Sequence, residues 1–343
     1  MARVLVGISG GLDSAYAVIS LLEAGHDVET VILDMHNYTE TIDAERLAYR
    51  LGVPFGIIDV KKRFESSVID YFAEEYTKGR TPNPCVRCNS AVKIASLVEY
   101  AKEKGFDLVA TGHYANKHYD EANGRYSIAF GADPKKDQSY FLWELTQEQI
   151  AMLVFPLGNM LKSEVRERVR GHMLEVAERK ESQEICFIPD DDHAAFITNR
   201  KGEFARGSFV DTEGRVIGEH KGIIHYTIGQ RKGLGMSFGE HMFVKHINAE
   251  KNEITLCRKG EEYSDRLEVS GLNFVGLEPI CDGEAELFVK LRYAAPPVPA
   301  RVKFLGERVS VELYSPARAV TPGQSAVFYR DGAVMFGGVI ETV

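Results

Sequence analysis

An α/β fold is expected: a parallel sheet covered by helices to about residue 200, then small antiparallel β domains. Short apolar runs at Val4 to Ile8, Glu29 to Leu33, Phe55 to Val60 and Leu108 to Thr111 alternate with amphipathic stretches of helical length. Such alternation is the signature of strand–helix–strand crossovers. Beyond residue 200 glycines become frequent and two-residue alternation replaces the helical period. A chain of 343 residues also exceeds one typical domain. The divisions expected are 1–200, 201–270 and 271–343, with the last boundary soft across 271–276.

The first helix follows the apolar run that ends at Ile8. The second, between Glu40 and Leu51, is charged on one side and carries Leu47, Ala48 and Leu51 on the other. From Lys61 to Lys78, Phe64, Val68, Tyr71, Phe72 and Tyr76 recur at helical spacing. Another helix is predicted from Asn89, a favoured N-cap, to Lys104, with Gly105 as its stop. That leaves GRTPNPCVRCN, residues 79–89, as a loop feeding a helix N-terminus. The predicted strands beyond residue 200 are Met242 to Ile247, Glu253 to Leu256, Glu286 to Leu291, Arg301 to Phe304 and Arg308 to Tyr314, and Asp331-Gly332 marks a hairpin.

Composition sets limits on function. Apolar content of 44% and charged content of 27% are ordinary globular values. Five cysteines at irregular spacing do not form a secreted disulfide framework, which points to a reducing cytoplasm. No apolar run approaches the roughly 20 residues of a membrane helix, and the N-terminus lacks a signal-peptide core. A formal charge of −9 argues against bulk attraction to nucleic acid. Any RNA contact must then use local groups such as Arg80, Arg87, Lys93, Arg231, Lys232, Lys290 and Arg292.

VLVGISGGLDS places strand, glycine-rich loop and helix in succession. Gly7, Ile8, Ser9, Gly10 and Gly11 let backbone approach an oxyanion, and Leu12, Asp13 and Ser14 open a helix whose N–H groups point at it. No Lys-Ser/Thr follows the glycines, so this is not a Walker motif. The plain alternative is a tight turn that needs small residues. SGGLDS resembles the signature of the PP-loop ATP pyrophosphatases, the adenine nucleotide alpha hydrolase-like fold, which bind ATP and adenylate an oxygen. Met35, Gly112 and His113 follow predicted strands and are expected on the same sheet edge, with Met35 against adenine.

Cys85 and Cys88 form a CxxC with no second pair to complete a structural zinc site. Cys257 and Cys281 read as buried apolar residues. Cys88, placed just before the predicted cap, is a candidate thiolate because a helix N-terminus lowers a thiol pKa. Cys186 lies in a further loop, ESQEICFIPD.

GISGGLDS, GRTPNPCVRCN, ATGHYA, KKDQSYFLWEL, SQEICFIPD, IGEHKGIIHYTIGQRKGLG and VTPGQSAVFY together resemble the successive signatures of the tRNA-specific 2-thiouridylases. The resemblance implies an enzyme that replaces the C2 oxygen of a wobble uridine, in the anticodon stem-loop of tRNA, by sulfur. It implies ATP and Mg2+, adenylation dependent on Asp13, and sulfur from a donor protein such as a cysteine desulfurase or a sulfur relay protein. It assigns the persulfide to Cys186 and the partner nucleophile to Cys88, the two passing through a disulfide. Asn83, Pro84 and Cys85 would line the target-base pocket, and His113, Lys136, Asp137, Gln138, Arg292, Tyr293 and Gln324 would contact tRNA. Many relatives carry Asp where this chain has Cys85. The resulting set Cys85, Cys88 and Cys186 suits a 4Fe–4S cluster with one open iron, as in some related thiolases. Rival readings are another adenylating PP-loop enzyme and a non-catalytic tRNA-binding paralogue.

Overall fold

The computed structural model describes residues 1–178, 185–188, 190–236 and 239–342, so residues 182–184 and 189 of SQEICFIPD lie outside the described residues. Strands β1 (Arg3–Gly7), β2 (Asp27–Asp34), β3 (Phe55–Asp59) and β4 (Leu108–Ala110) alternate with helices α1 (Leu12–Glu23), α2 (Ile42–Leu51), α3 (residues 61–77) and α4 (residues 84–104). After β4 the chain forms a hairpin, β5 (Ala115–Asp120) and β6 (Arg125–Phe130), and returns as the short β7 (Leu153–Val154). The first sheet runs β3-β2-β1-β4-β7, all parallel. Val4, Leu5 and Val6 in β1 have no exposed surface, as a strand covered by helices on both faces requires.

Helix α4 starts five residues before the predicted cap. Asn83 takes the N-cap with extended backbone (φ −108°, ψ 92°) and Pro84 occupies the first turn, where its missing N–H costs nothing. The predicted stop is found: Gly105 ends α4 in the left-handed conformation at φ 71°. Inside α4 the stretch Cys88–Ile94 is wound as a π-helix, and Glu65–Ile69 inside α3 is wound the same way. Such wide turns inside α-helices recur at functional sites.

The second sheet contains β8 (Gly207–Val210), β9 (Val216–His220), β10 (Met242–Asn248) and β11 (Glu253–Arg258), in the order β10-β11-β8-β9. Six further strands, β12 (Tyr263–Phe274), β13 (Asp282–Lys290), β14 (Val298–Leu305), β15 (Arg308–Arg318), β16 (Ser325–Arg330) and β17 (Ala333–Thr342), pair in the order β12-β15-β14-β13-β16-β17. β12 also pairs with β17, which closes an antiparallel barrel. Phe304, Phe328 and Phe336, all fully buried, pack in its core. Asp331 (φ 51°) and Gly332 (φ 79°) form the predicted tight hairpin. Two features were not read from the sequence. β12 runs unbroken through residue 271, and hairpin β5–β6 extends the barrel sheet through the pairing of β6 with β17. No helix among the described residues is long and apolar enough to cross a membrane.

Candidate active site

The C-terminal ends of β1, β2 and β4 present Ile8 to Gly11, Met35 with His36, and Thr111 to His113 on one sheet edge. Between β1 and α1 the loop is braced from within. Ser14, which is buried, accepts from the Ser9 backbone N–H at 3.2 Å and donates to the Gly11 carbonyl at 3.0 Å. Gly112 passes so close that a Cβ there would stand 3.0 Å from the Asp13 backbone.

Asp13 is the charged member of this loop. Its carboxylate accepts from the Tyr114 hydroxyl at 2.8 Å, and both of its oxygens accept from the Lys162 ammonium, at 2.7 and 2.8 Å. Lys162 is only 7% exposed, and its backbone N–H is held by Asp133 at 3.0 Å. Lys162 is therefore the cation that the glycine loop itself lacks. Sequence reasoning missed it because 149 residues separate the partners and no spacing rule links them.

The thiols gather beside this loop. Cys88 is buried, with its Sγ 4.0 Å from the Met35 Sδ, so the residue expected against adenine also touches the nucleophile candidate. Cys85 lies one turn earlier, and Cys186 comes from the 185–188 segment; both retain exposed surface. Ionisation of Cys186 and of Cys85 disfavours ionisation of Cys88, and the Lys93 ammonium acts on all three in the opposite sense. Three sulfurs and one cation thus share a single electrostatic neighbourhood. Lys93, expected to face RNA, is turned to the thiols instead, and its own pKa is raised by any thiolate formed among them, Cys88 first.

One expectation is corrected here. Cys88 does not precede the helix cap but lies a full turn inside α4, where the dipole has little effect. Burial pushes its thiol up to about 11, with Lys93 only partly opposing, and burial also raises Cys85 and Cys186. The sulfurs are neutral thiols at physiological pH. His113, 2.8 Å from the Thr111 hydroxyl, is pushed down to about 3 by burial and then by Lys93, so it too is uncharged. Among the described residues no group of three or more His, Cys, Asp or Glu side chains is disposed to hold a metal ion.

The residues expected at the RNA surface are largely engaged with protein. Asp137 is buried, accepting from Gly131 and Ser139 backbone N–H groups and from the Ser139 hydroxyl, with Lys290 3.9 Å away. Gln138 accepts from the Tyr114 N–H at 3.0 Å, while the neighbouring Lys136 is half-buried. Arg292 donates to the Ala319 carbonyl and the Thr321 hydroxyl, and Tyr293 packs on Phe141 with ring centres 4.5 Å apart. Asn83 reaches the Tyr140 hydroxyl, and Pro84 is buried. Gln324 donates to the carbonyls of Thr81 and Pro82. Arg80 lies between Glu75 and Glu341, and Arg87 bonds Glu144. Cys257 is buried as expected, whereas Cys281 is exposed.

Comparison with known proteins follows this geometry. Three family models match in series: the tRNA methyl transferase HUP domain over residues 2–190, the tRNA methyl transferase PRC-barrel domain over 194–258, and the aminomethyltransferase beta-barrel domain over 264–340. The tRNA-specific 2-thiouridylase MnmA of Carboxydothermus hydrogenoformans is 43% identical, with 99% of this chain and 97% of the relative covered. Its namesakes from Geotalea uraniireducens and Acetivibrio thermocellus are each 42% identical over 99% of this chain, covering 95% and 99% of their own lengths. Among solved structures, a 4-thiouridine synthetase–RNA complex with bound ATP overlaps 54% of this chain and 45% of that chain at 18% identity, with a TM-score of 0.37, a likeness too loose to carry an argument. The methyltransferase wording belongs to descriptions of single domains, whereas the thiouridylase name belongs to relatives aligned from end to end. By that full-length identity, the chain belongs to the tRNA-specific 2-thiouridylase family.

Proposed function

We propose that this protein is a tRNA sulfurtransferase that thiolates C2 of the wobble uridine at the expense of ATP. The observation that carries the reading is the contact of Met35 with Cys88, which joins the nucleotide edge of the sheet to the thiols. The three thiols also sit around one ammonium.

The C2 oxygen of uridine is a poor leaving group. Its attack on the α-phosphate of ATP forms an O–P bond, expels pyrophosphate and leaves an adenylated oxygen. Ser9 to Ser14 hold the phosphates with backbone N–H groups, and Lys162 lies at the loop to offset their charge. Mg2+, when bound, spreads the pyrophosphate charge, and Asp13 is the carboxylate on the loop that would hold it. Cys186 arrives as a persulfide charged by a sulfur-donor protein. Its terminal sulfur attacks C2 and AMP leaves, so that the base is linked to Cys186 through two sulfurs. The Cys88 thiolate then attacks the Cys186 sulfur, forming a Cys88–Cys186 disulfide and releasing the thiocarbonyl base. The transferred sulfur is reduced as the two cysteines are oxidised, and an external dithiol restores them. Lys93 is placed to favour each anionic sulfur in turn. Asn83, Pro84 and Cys85 at the start of α4 would face a base swung out of its stack, with His113, Lys136, Gln138, Arg292 and Tyr293 around it. A cytoplasmic setting matches five free cysteines.

The test is a reaction of enzyme, ATP, Mg2+, a persulfide donor and tRNA, followed by mass spectrometry of nucleosides. One 2-thiouridine per AMP and per pyrophosphate supports the reading. Stoichiometric RNA binding with no sulfur incorporated, from iron-free or iron-reconstituted protein, refutes it.

A further inference from the structure

We infer that the C-terminal barrel holds the segment presenting Cys88, with Arg80 and Gln324 as positioning residues for the reaction proposed above, on which this inference rests. Residues 80–83 connect α3 to α4 and set where the first turn of α4 begins. Pro82 and Pro84 deprive this stretch of two N–H donors and keep it extended.

The barrel supplies hydrogen-bond partners. The Gln324 amide donates to the Thr81 carbonyl at 2.7 Å and to the Pro82 carbonyl at 3.3 Å. In return the Thr81 N–H donates to the Pro322 carbonyl at 2.9 Å. Gly323, between them, lies so close that a Cβ would stand 3.0 Å from the Thr81 nitrogen and 3.1 Å from the Arg80 Cβ. Arg80 adds an ionic tie. Its Nε donates to Glu75 on α3 at 2.6 Å, while its other nitrogens reach Glu341 on β17, which also accepts from the Ser270 hydroxyl at 2.6 Å. Glu75 is only 6% exposed, so removing Arg80 takes the nearer cation from a buried carboxylate and leaves it to Lys78 at 3.3 Å. The next barrel residue after Gln324, Ser325, accepts from the Tyr140 hydroxyl at 3.0 Å. Ties thus run from the barrel turn at Pro322 to Gln324 and from strand β17 to residues 80–82, just before the cysteine helix. Seating of the barrel is transmitted to the position of Cys88, and neither side chain is spare for RNA in this arrangement.

The test uses the full chain. Amide hydrogen exchange over residues 79–88 is measured without tRNA or ATP for wild type, Gln324→Leu, Arg80→Met and Arg80→Lys. Single-turnover sulfur transfer from the persulfide-loaded enzyme and tRNA affinity are measured alongside. The clamp predicts exchange over 79–88 about 10-fold faster in Gln324→Leu and Arg80→Met, with strand β1 still protected. It predicts transfer slowed on the order of 10- to 100-fold, tRNA affinity within about 3-fold, and substantial rescue by Arg80→Lys. Gln324 is half-exposed, so its variant remains informative if Arg80→Met fails to fold. Unchanged exchange over 79–88 together with weakened tRNA binding would make both residues plain RNA contacts and overturn the inference. The exchange readout needs no turnover, so a wild type that fails to thiolate would sink the functional reading and leave the clamp to be judged separately.

Discussion

The phosphate loop and the thiol cluster share one edge of the first sheet but are assembled in opposite ways. The loop comes from one contiguous motif, and its polar groups are satisfied in advance: Ser14 braces Ser9 and Gly11, and Asp13 is bridged by Lys162 and Tyr114. The thiols come from α4 and from the 185–188 segment, and burial holds Cys88 protonated. In the reaction proposed above, nucleotide binding would be preformed, whereas sulfur transfer would wait for a change in the surroundings of Cys88.

The largest effect expected from breaking this contrast is at Cys186. Cys186→Ser should lower sulfur transfer by about 1000-fold or more while ATP and tRNA binding persist; nucleoside mass spectrometry and filter binding check both halves. At the other region, Asp13→Asn removes the charge that holds Lys162 and should slow pyrophosphate release by roughly 100-fold. Persulfide loading of Cys186, followed by gel shift of the trapped thiol, should not change.

The raised thiol pKa makes a pH prediction. A thiol that ionises near 11 is only about one part in a thousand thiolate at pH 8, so alkylation of Cys88 in the free enzyme should climb steadily towards pH 11. Lys93→Met should lower that rate at every pH below about 11, since Lys93 is the cation opposing the shift. Stability follows with a defined sign. The folded thiol keeps its proton to about 11 and the unfolded one loses it near 9.0, so the group is neutral to stability below pH 9 and destabilises as pH rises from 9 to 11. Cys88→Ala should reduce that alkaline loss in denaturant titrations at stepped pH.

The smallest effect is expected at a helix cap. Thr146 caps the helix Gln147–Met152 in a reciprocal box with Gln149. Thr146→Ala should cost about 1 kcal/mol in a thermal melt and leave sulfur transfer unchanged.

What the sequence revealed divides along the same line. The parallel sheet, the loop SGGLDS and the Asp331-Gly332 hairpin were legible because each depends on near neighbours: apolar period, glycine permissiveness and turn chemistry. The start of α4 was misplaced because Asn89 and Asn83 are equally good caps by type, and Pro84 at the first turn decided between them. Lys162 opposite Asp13, Arg80 with Glu341, and β6 beside β17 were not legible, since each pairs residues more than a hundred positions apart. The ionisation of the thiols was not legible, because burial is a property of the folded chain.

The most direct test of the central claim is the fate of the uridine C2 oxygen. With tRNA carrying isotopically labelled oxygen at C2 of the wobble uridine, the account predicts that the label leaves in AMP as sulfur enters the base, one for one. Label recovered in water, or retained in the base while AMP accumulates, would contradict adenylation at this site.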